Sequence, residues 1–217
     1  MRGRRIMVKN EETVRGIILA SFLQGEYGRR LLILTDAYGK ITVFAKSAAK
    51  KDSKIIGAIR PMTAAEFTIS KGRDAYSMHS VHVMDSFDEI STDADIMFYG
   101  SYVLEVLDYF SVEGMAPEDA KAMLNLAFLT LSALRKKKIA PVHIRRIFEL
   151  KMLTLEGLYE EKPFIEDEAC VKEWQRVIAS PLSKLYTDAA PTGEFCDSVQ
   201  HLLNMQVQVK FRTLELL

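Results

Sequence analysis

The stretch Thr13–Ser47, "TVRGIILASFLQGEYGRRLLILTDAYGKITVFAKS", decides the fold. It is rich in Val, Ile, Leu, Phe and Thr, which suit a pleated, half-buried surface. Gly25, Gly28 and Gly39 punctuate it. The spacing predicts strands near 13–23, 29–35 and 40–46, with "AYGK" turning the second into the third. Farther out, "AAEFTIS" (64–70) and "AYSMHSVHVMDSF" (75–87) read as two more strands on either side of "KGRD", a good turn sequence. Five short strands with one longer connection after the third predict a small closed barrel. The OB-fold is the commonest five-stranded barrel interrupted there, and an SH3-like barrel is its competitor.

Past residue 90 the period becomes helical. In "DADIMFYGSYVLEVLDYFS" (93–111) apolar residues recur at i+3 and i+4, with Thr92 or Asp93 placed to cap the start. Gly114 and Pro117 break the chain, and Pro117 opens a second helix ending in the cationic "RKKK". Pro141 opens a third, "PVHIRRIFELKMLTLEG", stopping at Gly157. An acidic, poorly periodic run, "YEEKPFIEDEAC", precedes a short helix around Trp174 and a last helix from about Gly193 to Lys210. The expected class is therefore α+β, with a barrel domain over 1–84 and an all-helical domain over 85–217.

The 217 residues carry 29 Lys and Arg against 29 Asp and Glu, but not evenly. Residues 1–82 hold 15 basic and 7 acidic side chains, a net of +8, and residues 83–217 hold 14 and 22, a net of −8. Such an opposition speaks of partners, not fold, and a basic half favours polyanions such as nucleic acid. Mutual attraction of the two halves is the plainer account. The basic opening "MRGRRIMVKN" lacks the apolar stretch of a secretory signal, and no run of apolar residues is long enough for a membrane span. A cytoplasmic protein is expected, which two widely spaced cysteines also suit.

Several chemistries lack their signatures. There is no G-x-x-x-x-G-K-[ST] loop, G-x-G-x-x-G fingerprint, H-E-x-x-H or G-x-S-x-G. His79 and His82, three apart on a strand, point to opposite faces. Neither an enzyme nor a cofactor is expected.

The third strand carries the positive signal. Ile41, Val43 and Ala45 fall on one face and fill the barrel, while Lys40, Thr42, Phe44 and Lys46 fall on the other. A cation–aromatic–cation row suits single-stranded nucleic acid, since lysines neutralise phosphates and a base stacks on Phe44. The alternative for Phe44 is packing under the following loop. That loop adds Lys50, Lys51, Lys54 and Arg60, and Arg29, Arg30, Lys71 and Arg73 at strand ends or turns either extend the patch or simply keep the protein soluble. On the third helix, Arg145, Arg146 and Lys151 lie beside apolar Ile144, Ile147, Phe148 and Met152. A basic rim around apolar side chains suits an acidic-hydrophobic peptide, and dipole compensation plus a buried helix is the plainer reading.

In order along the chain come "YGKITVFAKSAAK", "GAIRP", "EFTISKGR", "YVLEVLDYF", "HIRRIFELKMLTLEG" and "LLNMQVQVKFRTLEL". Together they resemble the bacterial RecO family of recombination mediators over most of the chain. The resemblance implies an N-terminal OB domain and a non-enzymatic protein of DNA repair and recombination. It would bind single- and double-stranded DNA, anneal complementary strands and act with RecR. It would help load RecA onto DNA coated by single-strand-binding protein, in a nucleoid-associated cytoplasmic setting. That coating protein's acidic C-terminal tail would dock on the helical domain at Arg145 and Arg146, flanked by Phe148 and Lys151. The family's paired arginine stands before Phe-Glu, and here "RRIFE" interposes Ile147. Many members also carry four zinc-binding cysteines after the helix ending here at Gly157. This chain has only Cys170 and Cys196 in that region, so a zinc-less insert around 159–192 and no metal are expected. An OB-fold RNA-binding module and a protein–peptide adaptor remain the alternatives on the residues alone.

Overall fold

The computed structural model describes residues 11–46, 55–159, 167–186 and 190–215. They form two compact units. One runs to Ser86 and includes Val112–Pro117; the other takes Phe87–Ser111 and the chain from Glu118 onward.

The first unit is a closed barrel of β1 (Glu11–Gln24), β2 (Gly28–Thr35), β3 (Gly39–Ala45), β4 (Ala64–Lys71) and β5 (Tyr76–Asp85), ordered β1-β2-β3-β5-β4. β3 and β5 pair in parallel and all other neighbours antiparallel. This is the OB arrangement. Alternation along the strands sends Leu31, Ile33, Ile41, Val43, Ala45, Phe67 and Ile69 into the core. β1 is long because its first half pairs with β4 and its second half with β2, with a register shift between Ile18 and Ala20. There the Ile18 amide donates to the Thr63 carbonyl at 3.0 Å and the Met62 amide to the Ile18 carbonyl at 2.9 Å. The connection after β3 is thereby pinned to β1.

The β2–β3 turn is fixed by Thr35, whose hydroxyl donates to the Gly39 carbonyl at 3.0 Å and accepts from the Tyr38 amide at 3.1 Å. Gly39 is left-handed, with φ of 66°. The segment 112–117 packs on this turn: the Lys40 amide donates to Val112 O at 3.1 Å, and the Gly114 amide to Tyr38 O at 2.9 Å. Pro117 opens the second helix as expected, but reading Gly114 only as a chain breaker does not anticipate this contribution to the barrel unit.

The fifth strand was expected to reach residue 87 but stops at Asp85. Phe87 adopts φ of 49°, which breaks the extended chain, and its ring packs edge-on against Phe128 at 5.4 Å. It is the first residue of the helical unit.

That unit comprises α1 (Ala94–Phe110), α2 (Pro117–Lys136), α3 (Pro141–Leu155), α4 (Glu168–Ala179), α5 (Leu182–Leu185) and α6 (Gly193–Gln206). Asp93, not Thr92, caps α1, accepting from the Ile96 amide at 3.3 Å. Lys137 at 2.8 Å holds the Asp93 carboxyl below its usual range, helped by that amide. Tyr102, Phe148, Trp174 and Phe195 are fully buried. The last helix was expected to reach Lys210 but ends at Gln206. Val207 turns extended, Val207 and Phe211 are buried, and the Glu105 carboxylate accepts the Arg212 and Thr213 amides at 2.8 and 3.0 Å. These tertiary anchors outweigh the helical period. Among the described residues no helix is long and apolar enough to cross a membrane.

Candidate nucleic-acid interface

Residues directly opposite in a ladder share a face of the sheet. Phe22 stands opposite Arg30, Arg30 opposite Phe44, and Phe44 opposite Ser77. One row therefore crosses β1, β2, β3 and β5. Leu31, Val43 and Tyr76, the neighbours of row members, lie in the core, so the row faces outward. The Arg30 guanidinium stacks over the Phe22 ring, 4.9 Å from its centroid. Phe22 is 44% exposed, and Phe44 is half-buried at the centre of the row. An exposed contact of this kind contributes about 0.5–1 kcal/mol.

Around the row, Lys40 shares the outward side of β3 and is half-buried, and Lys46 is exposed just past its end. Arg73 is exposed in the β4–β5 turn, which the Gly72 amide closes on Ala75 O at 2.8 Å. The parallel Val43–Tyr76 pairing brings the start of β5 alongside β3. Arg60 lies after the 3-10 turn Gly57–Ile59, and its Nε donates to Gly57 O at 3.0 Å. Lys50, Lys51 and Lys54 lie outside the described residues. The structure thus brings Arg30 and Phe44 together, with Lys40 on the same side of β3, and adds Phe22, which was not anticipated, while Arg60 lines a cavity with Ser21 and Arg29. Phe22 lay within the expected first strand, but only the β1–β2 register sets it across the hairpin from Arg30.

On α3 the arrangement differs from an open groove. Arg146 is 8% exposed, and its Nη1 donates to Glu149 Oε2 at 2.7 Å. The Arg145 Nε lies 3.5 Å from Glu149 Oε1, with its guanidinium 5.8 Å from the Tyr102 ring centroid. Tyr102, kept protonated by burial, donates to the same carboxylate at 2.6 Å. Two guanidiniums and a phenol thus share one buried carboxylate, and neither arginine Nε makes a hydrogen bond. Phe148 has no exposed surface. The Lys151 ammonium donates to the Ile178 and Ser180 carbonyls at 2.7 and 2.8 Å, and burial lowers its pKa. It braces the end of α4.

The residues present do not fit the zinc module. Cys170 is buried, and burial raises its thiol pKa; its Sγ lies 3.5 Å from Ser198 Oγ. Among the described residues no three His, Cys, Asp or Glu side chains cluster as metal ligands would.

The barrel unit is a closed five-stranded OB barrel with an outward aromatic–cationic row, followed in the chain by a helical unit, and barrels of this class elsewhere bind oligonucleotides or oligosaccharides. The model of the family "Recombination protein O N terminal" matches residues 7–87. The chain is 34% identical over 182 residues to a DNA repair protein RecO from Caldicellulosiruptor bescii, covering 84% of this chain and 70% of that one. Over 197 residues it is 27% identical to the protein of the same name from Caldicellulosiruptor saccharolyticus, covering 90% and 75%. A third, from Alkaliphilus metalliredigens, is 29% identical over 153 residues, 70% of this chain and 59% of its own. The chain belongs to the RecO family of DNA repair proteins.

Proposed function

We propose that this chain binds single- and double-stranded DNA on the outward face of β1–β3 and anneals complementary strands. The observation that carries this reading is the Phe22–Arg30–Phe44 row. Bases stack on Phe22 and Phe44, Arg30 meets a phosphate, and Lys40, Lys46, Arg60 and Arg73 neutralise the adjoining backbone. Lys50, Lys51 and Lys54 follow β3 in sequence and add to the same charge. Contacts to phosphate and to the π-face of any base carry little sequence information. Annealing follows because two strands neutralised by the protein lose their mutual repulsion; no bond is made or broken, so no catalytic group is needed.

In this reading the protein acts with RecR in the nucleoid-bearing cytoplasm and helps RecA onto DNA coated by single-strand-binding protein. The acidic tail of that coating protein meets α3. The cationic pair Arg145 and Arg146, about one-tenth exposed on α3, supports this through the guanidinium donors that Glu149 leaves over. Phe148 then serves as packing beneath the contact, and Lys151 as a brace.

The test is a salt titration of binding to a fluorescent single-stranded oligonucleotide, followed by annealing of its complement. The expected result is a log–log slope of about −0.7 per phosphate contacted, faster annealing with protein than without, and DNA preferred to or equal with RNA of the same sequence. A flat salt response refutes the phosphate contacts. Strong preference for RNA assigns the face to another substrate.

A further inference from the structure

One cavity in the barrel unit is not part of the outward row. It holds about 300 Å³ and is lined by Ser21, Arg29, Ile56, Ile59, Arg60 and Pro61. Arg29 and Ser21 are the chain neighbours of Arg30 and Phe22, so by strand alternation they point to the opposite side, over the rim of the barrel. The Arg29 Nη1 donates to Ser21 Oγ at 3.3 Å, which fixes the guanidinium. Its Nε is buried and makes no hydrogen bond. Arg60 is oriented through its own Nε on Gly57 O. One side of the wall is tied to β1, because the chain after Pro61 is bonded to it through Met62 and Thr63, and the Thr63 amide donates to Arg60 O at 3.2 Å. Among the described residues lining the cavity there is no carboxylate.

We propose that this rim cavity is a phosphate subsite, in which Arg29, held by Ser21, receives a phosphate oxyanion of a nucleic-acid strand whose neighbouring base lies on Phe22. A guanidinium presents its N–H groups in a planar fork that suits phosphate oxygens, and here the Nε member of the fork is without an acceptor. Exposed Ile56 and Pro61 offer apolar surface to the attached sugar, and the volume accommodates both groups. Arg29 and Arg30 then point to opposite sides of one strand and hold successive parts of the same backbone. The phosphate comes from an internal phosphodiester or from a strand end. The inference rests on the DNA-binding reading above but can fail separately from it.

In the full chain, Arg29→Met removes the donors and keeps the length, and Arg29→Lys keeps the charge. Arg29→Met is expected to reduce the salt slope by about 0.7, one single-strand phosphate, with oligonucleotide binding still measurable through the outward row. Arg29→Lys is expected to keep the slope. Strands bearing a 5′-phosphate and a 5′-hydroxyl are compared: a preference for the phosphate that Arg29→Met abolishes assigns a strand end, and equal binding with a reduced slope assigns a phosphodiester. Wild-type protein labelled on its arginine side chains, titrated with the dinucleotides pdTdT and dTdT, gives a readout independent of any variant's binding. The Arg29 Nε–H resonance, assigned as the one that Arg29→Met removes, should shift with one or both. An unchanged slope in folded Arg29→Met, or no shift of the Arg29 Nε–H with either dinucleotide, overturns the subsite. If the wild type binds no oligonucleotide at all, it is the DNA-binding reading that falls.

Discussion

Replacing Gly39 by alanine separates two costs that one glycine avoids. Its φ of 66° lies in the left-handed region, where an L side chain costs about 1–2 kcal/mol. A Cβ there would also press into the Val112 carbonyl oxygen and lie 2.6 Å from Met115 Cγ. The first is backbone and cannot rotate away, so segment 112–117 must lift off the β2–β3 turn. That breaks the Lys40–Val112 and Gly114–Tyr38 hydrogen bonds, each worth about 0.5–1.5 kcal/mol. The summed loss is about 2–5 kcal/mol. Gly25 supplies the control: its φ is 62°, yet nothing stands within 4 Å of an added Cβ. Gly25→Ala should therefore cost only the strain, about 1–2 kcal/mol. Urea unfolding followed by far-ultraviolet circular dichroism measures both. Equal losses in the two variants would refute the claim that the 112–117 contact, rather than backbone strain, makes Gly39 indispensable. Loss of the turn would also disorder Lys40, so Gly39→Ala should weaken oligonucleotide binding where Gly25→Ala, farther from that lysine, does so less.

Phe22→Ala and Phe44→Ala should each weaken single-strand binding by about 1–3 kcal/mol, roughly five- to 150-fold, with salt slopes unchanged; fluorescence anisotropy checks this, and a changed slope with unchanged affinity would contradict stacking. Glu149→Gln withdraws the carboxylate shared by Arg145 and Arg146 and should destabilise the helical unit by about 3–5 kcal/mol, read by Trp174 fluorescence during urea unfolding. At Glu105 burial pushes the pKa up, but hydrogen bonds from the Thr213 hydroxyl and the Thr213 and Arg212 amides prevail and lower it. A lowered folded pKa stabilises above the ordinary carboxylate value, about 4.3, and that stabilisation is lost as pH falls through the lower folded value. Protection of the amides at 211–215, taken relative to their intrinsic exchange at each pH, should thus fall in acid in the wild type, and Glu105→Gln should show low protection already at neutral pH.

The barrel was legible because its signal is local. Period-2 alternation assigned Ile41, Val43 and Ala45 to the core and Lys40, Thr42 and Phe44 to the other side, as found. What escaped depended on pairing at a distance. Phe22 matters because the hairpin register sets it against Arg30, and that register follows from a turn whose exact length a propensity pattern does not give. The rim cavity needs Ser21 and Arg29 to meet Ile56–Pro61, segments brought together by the Ile18–Thr63 and Met62–Ile18 bonds. Likewise the last helix was overextended because Val207–Lys210 keeps a plausible period, while Glu105, more than 100 residues earlier, captures the Arg212 and Thr213 amides.

The α3 arginines show most clearly what helical spacing leaves undecided. Arg145 and Glu149 are i and i+4, and Arg146 and Glu149 are i and i+3, so both guanidiniums reach the same carboxylate. Spacing alone reads such a trio as a solvated ion-pair face. Burial reverses the meaning: Glu149 is 1% exposed, and a buried carboxylate must be fully hydrogen-bonded or it destabilises the fold. Arg146 and Tyr102 meet that requirement at 2.7 and 2.6 Å. The arginines are therefore committed to the fold first. A second carboxylate, from a partner's tail, has only the donors that Glu149 leaves over, and it must approach past side chains that are about one-tenth exposed. Tail docking at α3 would then be sensitive to the packing of α1 against α3, because Tyr102 and the arginines answer to one shared acceptor.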